Sequence, residues 1–202
     1  MGAVLIGLVL AAGKSTRMGR PKPLLRLPDG RPFVVGVVDA FRAAGLDEVV
    51  VVVGHEAARV TMALAGLERP VRVVVNDHYE SGQLSSLLAG LDEVDRLGVA
   101  AVLVTLVDVP FVSPATVRSV AERYRATHAP VVRPTHRGRH GHPVCLDRSI
   151  WPALRRADPQ TGIKPVVRAH ASAAGDVPVS DEGAFVDVDT PDEYTRLTER
   201  HP

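Results

Sequence analysis

The chain has 202 residues, 46% of them hydrophobic, a length that suits a single domain spanning 1–202 with a sizeable core. Its 24 basic and 23 acidic side chains leave a net charge of +1, which argues against a general binder of nucleic acid or of an anionic membrane. Cys145 is the only cysteine, so an internal disulfide is excluded, and no apolar stretch is long enough to cross a bilayer; a cytoplasmic protein is expected.

The start, Met1 to Ala12, is apolar like a signal peptide but has no basic n-region, and Leu10 breaks the small-x-small cleavage pattern. Ile6 stands where myristoylation of Gly2 would need Ser or Thr. The run 4–10 instead predicts a first strand, followed by Leu10-Ala11-Ala12-Gly13-Lys14-Ser15-Thr16-Arg17-Met18-Gly19-Arg20-Pro21-Lys22. Ala11, Ala12 and Gly13 put little side-chain bulk around the backbone, so main-chain N–H groups can approach phosphate oxygens while Lys14, Arg17, Arg20 and Lys22 add charge. With Arg26 and Arg31, these cations are opposed only by Asp29 between Gly13 and Pro32, a cluster suited to a small polyanion; a solvated basic loop is the alternative. Gly13-Lys14-Ser15 imitates the end of a P-loop, yet the glycine required five positions before Gly13 is Leu8, and no Gly-x-Gly-x-x-Gly is present.

Further apolar runs at 49–53, 71–75 and 99–106 lack polar alternation and predict strands covered on both faces. Helical spacing lies between them at 33–44, 56–67 and 84–97. This alternation predicts a doubly wound α/β fold with a mostly parallel sheet, whose ligands gather at the carboxyl ends of the strands. Asp108 closes the run in Leu106-Val107-Asp108-Val109-Pro110, where Pro110 stops the strand and leaves a carboxylate at that edge, placed for a hard cation or simply for a turn. Ser113-Pro114 reads as an N-cap with proline at the first helical position, ahead of a stripe of Val117, Val120, Ala121 and Tyr124.

Gly, Pro, His and basic residues over 130–146 predict short strands and turns, the acceptor side of a pocket, with Cys145 a buried structural thiol. His142, between Gly141 and Pro143, is either an acceptor contact or an exposed turn residue. Helices over 148–157 and 163–171 and a strand over 184–188 follow. Period-two geometry would then turn Asp187 and Asp189 to one face, for metal binding or for capping the next helix. Thr190 and Glu193 form a capping box for that helix.

Leu10-Ala11-Ala12-Gly13-x-Ser15-x-Arg17-Met18-Gly19-x-Pro21-Lys22 resembles the signature of MobA-like nucleotidyltransferases, closest to the molybdenum-cofactor cytidylyltransferase branch. Asn76 with Tyr79, Gly82, Ser85, Ser86 and Gly90, then Asp108-x-Pro110, Gly141-His142-Pro143 and Asp189-Thr190-Pro191-Asp192, are similar to later landmarks in the family's order. The resemblance implies a three-layer Rossmann-like fold of the nucleotide-diphospho-sugar transferase type. In it Leu10, Ala11, Ala12 and Gly13 hold base and ribose, Arg17 and Lys22 hold phosphates, Asn76, Gly82 and Ser86 border the nucleoside, and Asp108 with Asp189 share Mg²⁺. It further implies transfer of CMP from CTP to the phosphate of molybdenum cofactor (molybdopterin), His142 on the acceptor side, and an apo-molybdoenzyme as recipient. Ala12, where the guanylyl branch has glycine, and Pro21 favour the cytidylyl branch; Val107 departs from the small or sulfur-bearing residue usual before the metal aspartate. Guanylyl transfer, transfer to a sugar or alditol phosphate, and a cofactor carrier are the alternatives.

Overall fold

Successive side chains of β1 (Val4–Ala11) divide between two cores, as a period of two requires of a strand covered on both faces. Leu5, Val9 and Ala11 pack on one side, Ile6, Leu8 and Leu10 on the other. β2 (Val49–Val53), an unbroken run of valine, repeats the division: Val51 faces the first side, Val50 and Val52 the second. β4 (Val99–Leu106) does the same through Leu103 and Val104. β3 (Arg72–Val75) departs from the expected double cover, because it pairs only with β2 at the sheet edge and leaves Val75 54% exposed.

The computed structural model describes residues 4–200; Gly2, considered above for myristoylation, and the chain ends at 1–3 and 201–202 lie outside them. The remaining strands are β5 (Val131–His136), β6 (Arg139–His140), β7 (Val144–Asp147) and β8 (Asp176–Pro178). The sheet order is β3-β2-β1-β4-β7-β5-β6, with β8 beside β5. β1 to β4 run parallel, whereas β7 pairs antiparallel with both β4 and β5. The fold is therefore the expected α/β type with a mostly parallel sheet, and the short strands expected over 130–146 form its mixed flank.

Helices cover both faces. The first core takes side chains from α1 (Phe33–Ala43), α2 (Ala57–Leu64), α4 (Pro114–Thr127) and α7 (Pro191–Arg200); the second takes them from α3 (Gln83–Val94), α5 (Trp151–Arg155) and α6 (Lys164–His170). Gly90 lets α3 approach β1 closely, since a Cβ there would lie 2.5 Å from the Leu8 side chain. Ser113 accepts from the Thr116 N–H at 3.2 Å, and Thr190 and Glu193 accept from each other's N–H groups at 3.0 and 3.3 Å, so both caps form. Cys145 is buried, and burial pushes its thiol well up.

Two expectations need correction. The helix expected over 148–157 splits into a 3-10 turn, Arg148–Ile150, and the short α5. The strand expected over 184–188 is absent: Asp181 accepts from the Gly183 N–H and starts a 3-10 turn over Glu182–Phe185, and the chain beyond it makes no ladder. Instead the Val188 N–H donates once to the Asp108 carbonyl at 2.8 Å, tying this segment to the end of β4.

Candidate active site

The carboxyl ends of β1 and β4, the loop after β1 and the start of α3 enclose a cavity of about 240 Å³. Leu10, Ala12, Gly13, Lys22, Gly82, Ser86 and Asp108 line it, joined by Ser15, Tyr79, Gln83 and Leu106. Ala11 does not line it, because alternation along β1 turns its side chain into the first core. A Cβ on Gly13 would meet nothing within 4 Å, so the main chain there faces open space. Gly82 adopts φ +98°, a conformation that favours glycine, and leads directly into α3, whose N-terminal dipole favours an anion in the cavity.

Asn76 stands behind the wall. Its Nδ2 donates to Ser85 Oγ at 2.9 Å and to Ser86 Oγ at 3.0 Å, and its Oδ1 accepts from the His78 N–H at 2.9 Å. It therefore braces the turn that presents Gly82, Gln83 and Ser86.

The loop between β1 and α1 is anchored by Met18, which is buried, and by the Lys22 N–H donating to Ser15 Oγ at 3.1 Å. Its cations disperse. Arg26 donates to the Gly30 carbonyl, Arg31 pairs with Asp29 and Asp39, Arg20 lies over the Tyr194 ring and Lys14 pairs with Glu80. Only Lys22 and Arg17 converge on the carboxylates. Lys22 Nζ donates to Asp108 Oδ2 at 2.8 Å and to Asp189 Oδ1 at 2.5 Å, while Arg17 reaches Asp189 Oδ2 at 2.9 Å.

Burial alone would lower the pKa of Lys22 and raise that of Asp189. Their mutual hydrogen bond, with Asp108 acting on Lys22 and Arg17 on Asp189, outweighs it, so Lys22 is held above its ordinary value and Asp189 below. Asp187 lies on the same side, and burial together with the nearby Asp108 raises its carboxyl. Asp187 and Asp189 thus do reach one region, through the Val188 tether rather than through a strand.

Among the described residues no group of three or more His, Cys, Asp or Glu side chains forms a metal cage. Asp108 Oδ1 is nevertheless buried without a partner, and two carboxylates suit Mg²⁺, which keeps water and substrate phosphates in its other positions. The residues present fit such a cation.

Across Leu10, Gln83 and Leu106 a second cavity opens, of about 490 Å³. Its floor is apolar, with Leu87, Val104, Leu146 and Val167, and its wall carries His142, Asp187, Arg133, Lys164 and Arg168. Burial lowers the His142 pKa, partly offset by Asp187 and Asp108, and its Nδ1 is buried without a partner. Gln83, Lys164 and Arg168 escaped the reading of the sequence. Lys164 and Arg168, one helical turn apart on α6, look there like any solvated pair.

The description MobA-like NTP transferase domain matches residues 7–174 of the chain. The chain is similar to a protein named nicotine blue oxidoreductase from Paenarthrobacter nicotinovorans, 35% identical with 95% of each covered. It is also similar to a molybdenum cofactor guanylyltransferase from Cereibacter sphaeroides, 28% identical over 95% of this chain and 94% of that one. Rv0371c from Mycobacterium tuberculosis H37Rv superposes with a TM-score of 0.81 at 30% identity, covering 98% of this chain and 99% of that one. The same mycobacterial protein has a structure in complex with manganese, which matches at a TM-score of 0.72, 30% identity and 96% and 98% coverage.

Proposed function

The chain belongs to the MobA-like NTP transferase family, and from that premise we propose that it transfers CMP from CTP to the phosphate of molybdenum cofactor and releases diphosphate. The observation that carries the reading is the quartet Arg17, Lys22, Asp108 and Asp189 beside a cavity that shares Leu10, Gln83 and Leu106 with a second, larger one. An oxygen of the acceptor phosphate attacks the α-phosphorus of the nucleotide, a new P–O bond forms, and the bond to the diphosphate breaks. The attacking monoester is anionic near pH 7 and needs no general base.

Lys22 and Arg17 neutralise charge that grows on the transferring and leaving oxygens, and main chain from Leu10 to Gly13 with Gly82 and Ser86 borders the nucleoside. Asp108 and Asp189 would hold a divalent cation, Mg²⁺, and the manganese complex of the mycobacterial neighbour supports this. When bound it supplies further neutralisation of phosphate charge. The acceptor enters the larger cavity, with His142 at its wall, and the product passes to an apo-molybdoenzyme.

Base choice has its own test, since one relative is named a guanylyltransferase. The nucleoside cavity is small and carries the Ala12 methyl group, which supports a pyrimidine. A difference of that size predicts CTP over GTP by ~10–200-fold in kcat/KM. The test titrates the four ribonucleoside triphosphates with Mg²⁺ against molybdenum cofactor and simple sugar phosphates while following diphosphate. Equal or better kcat/KM for GTP would remove the cytidylyl assignment.

A second reading follows from the relative named an oxidoreductase together with the apolar floor of the larger cavity, which suits a flat ring system. The same assay separates the two, because a redox enzyme or a cofactor carrier releases no diphosphate.

A further inference from the structure

Among the described residues Lys22 is the only charged side chain that is buried. Its ammonium stands between Asp108 and Asp189, bonded to one oxygen of each. A divalent cation held by those oxygens has to take the ammonium's place, because two cations at hydrogen-bond range repel strongly in a partly buried site. The charge of the two carboxylates is, moreover, already balanced by Lys22 and Arg17. A free metal ion therefore meets two carboxylates whose charge is already balanced and whose oxygens, Asp108 Oδ1 excepted, already hold a cationic partner.

We propose, on the reading of Asp108 and Asp189 as metal carboxylates, that Lys22 is the resident cation of that site, displaced only when a triphosphate offers its ammonium another partner. Lys22, Asp108 and Gly13 line the same cavity, so phosphates bound there lie within reach of the flexible side chain. Its main chain need not move: the Lys22 N–H stays on Ser15 Oγ, and its carbonyl accepts from the Leu25 N–H at 3.1 Å. The site thereby orders its ligands. The divalent cation binds weakly to the free protein and tightly with the nucleotide, so metal alone does not lock the carboxylates. Lys22 acts here as a positioning residue, holding two like charges together until the ligand arrives.

Nucleotide phosphates themselves ligate metal, so cooperation between metal and nucleotide in the wild type does not discriminate; binding of Mn²⁺ to the nucleotide-free protein does. Read by the electron paramagnetic resonance of unbound Mn²⁺, Lys22→Met should bind it ~5–150-fold more tightly than wild type, the ordinary span of coupling between sites. Lys22→Arg, which keeps the charge, should bind as weakly as wild type. In chelator Lys22→Met should unfold at lower temperature than wild type, and Mn²⁺ should restore it. Lys22→Met that binds Mn²⁺ no more tightly than wild type overturns the proposal, while uptake of Mn²⁺ by wild type with a non-hydrolysable CTP analogue, beyond that of the analogue alone, leaves the metal reading standing. No such excess uptake removes the metal reading, and the proposal with it. Should Lys22→Met not yield folded protein, Lys22→Gln, uncharged and of similar length, carries the same comparison.

Discussion

The parallel flank of the sheet and its mixed flank reach precision by different means. In β2-β1-β4 valine-rich strands bury apolar side chains on both sides, and the tight glycine contacts there, Gly7 against Phe41 and Gly90 against Leu8, meet side chains. In β7-β5-β6 with β8 backbone meets backbone. A Cβ on Gly141 would lie 2.3 Å from the Ala184 carbonyl oxygen, and one on Gly175 would lie 1.9 Å from that of Val131. The first flank is a frame whose apolar residues are exchangeable. The second is a set of close approaches that cannot give, and it brings Arg133, His140 and His142 to the larger cavity. Substitutions at the frame's strand ends should therefore strike turnover, and those on the mixed flank should strike the choice of acceptor.

The strongest way to break this contrast is Asp108→Asn, at the end of β4. It keeps shape but removes a carboxylate charge, and kcat should fall ~10³-fold in a protein that still folds, in keeping with several kcal/mol of lost charge stabilisation. Steady-state diphosphate release at limiting Mg²⁺ with circular dichroism of the variant checks it. Near-normal turnover would mean that the frame's strand ends do not carry the chemistry.

The same contrast explains what could be read from the sequence. Unbroken valine and leucine runs are a strong signal because a strand buried on both faces admits little else, so β1, β2 and β4 were legible nearly to the residue, as were the caps at Ser113 and Thr190. The run after β1 announced a phosphate site through its small residues, but which cations converge depends on partners far along the chain: Asp189 for Arg17 and Lys22, Glu80 for Lys14, Tyr194 for Arg20. The segment before Thr190 alternates like a strand yet has no neighbour to form a ladder, so one bond from Val188 does the positioning that periodicity had suggested. Asn76 could be singled out, but only the fold places it as a brace behind the cavity rather than in it.

A smaller effect sharpens the contrast from the other side. Lys164 and Arg168 make no ion pair among the described residues and line the larger cavity from α6, so they are available to an anionic acceptor. Replacing both by Ala should raise KM for the acceptor ~10-fold, about 1.4 kcal/mol, and leave KM for the nucleotide unchanged. A matching rise in nucleotide KM would show that the two cavities do not divide the substrates.

The smallest effect is one of pH on stability, and it separates the flanks without any substrate. Burial holds His142 below its ordinary value of 6.5, so below that pH the unfolded chain takes up a proton that the folded chain refuses. The stability that this histidine contributes is present above about pH 6.5 and is lost as pH falls below it, with a slope of at most about 1.4 kcal/mol per pH unit for one proton. Asp189 works in another window. Lys22 and Arg17 hold its carboxyl below the ordinary 3.8, so its contribution persists through mild acid and is lost only as pH falls past that value. Urea unfolding of wild type at pH 7.5, 6.5 and 5.5 should show the first loss, and His142→Gln should flatten it; a further series taken below pH 4 should show the Asp189 decline unchanged in the variant. An unchanged slope in His142→Gln would mean that the mixed flank admits a proton on His142 at no cost, and that the wall of the larger cavity is wetter than its geometry indicates.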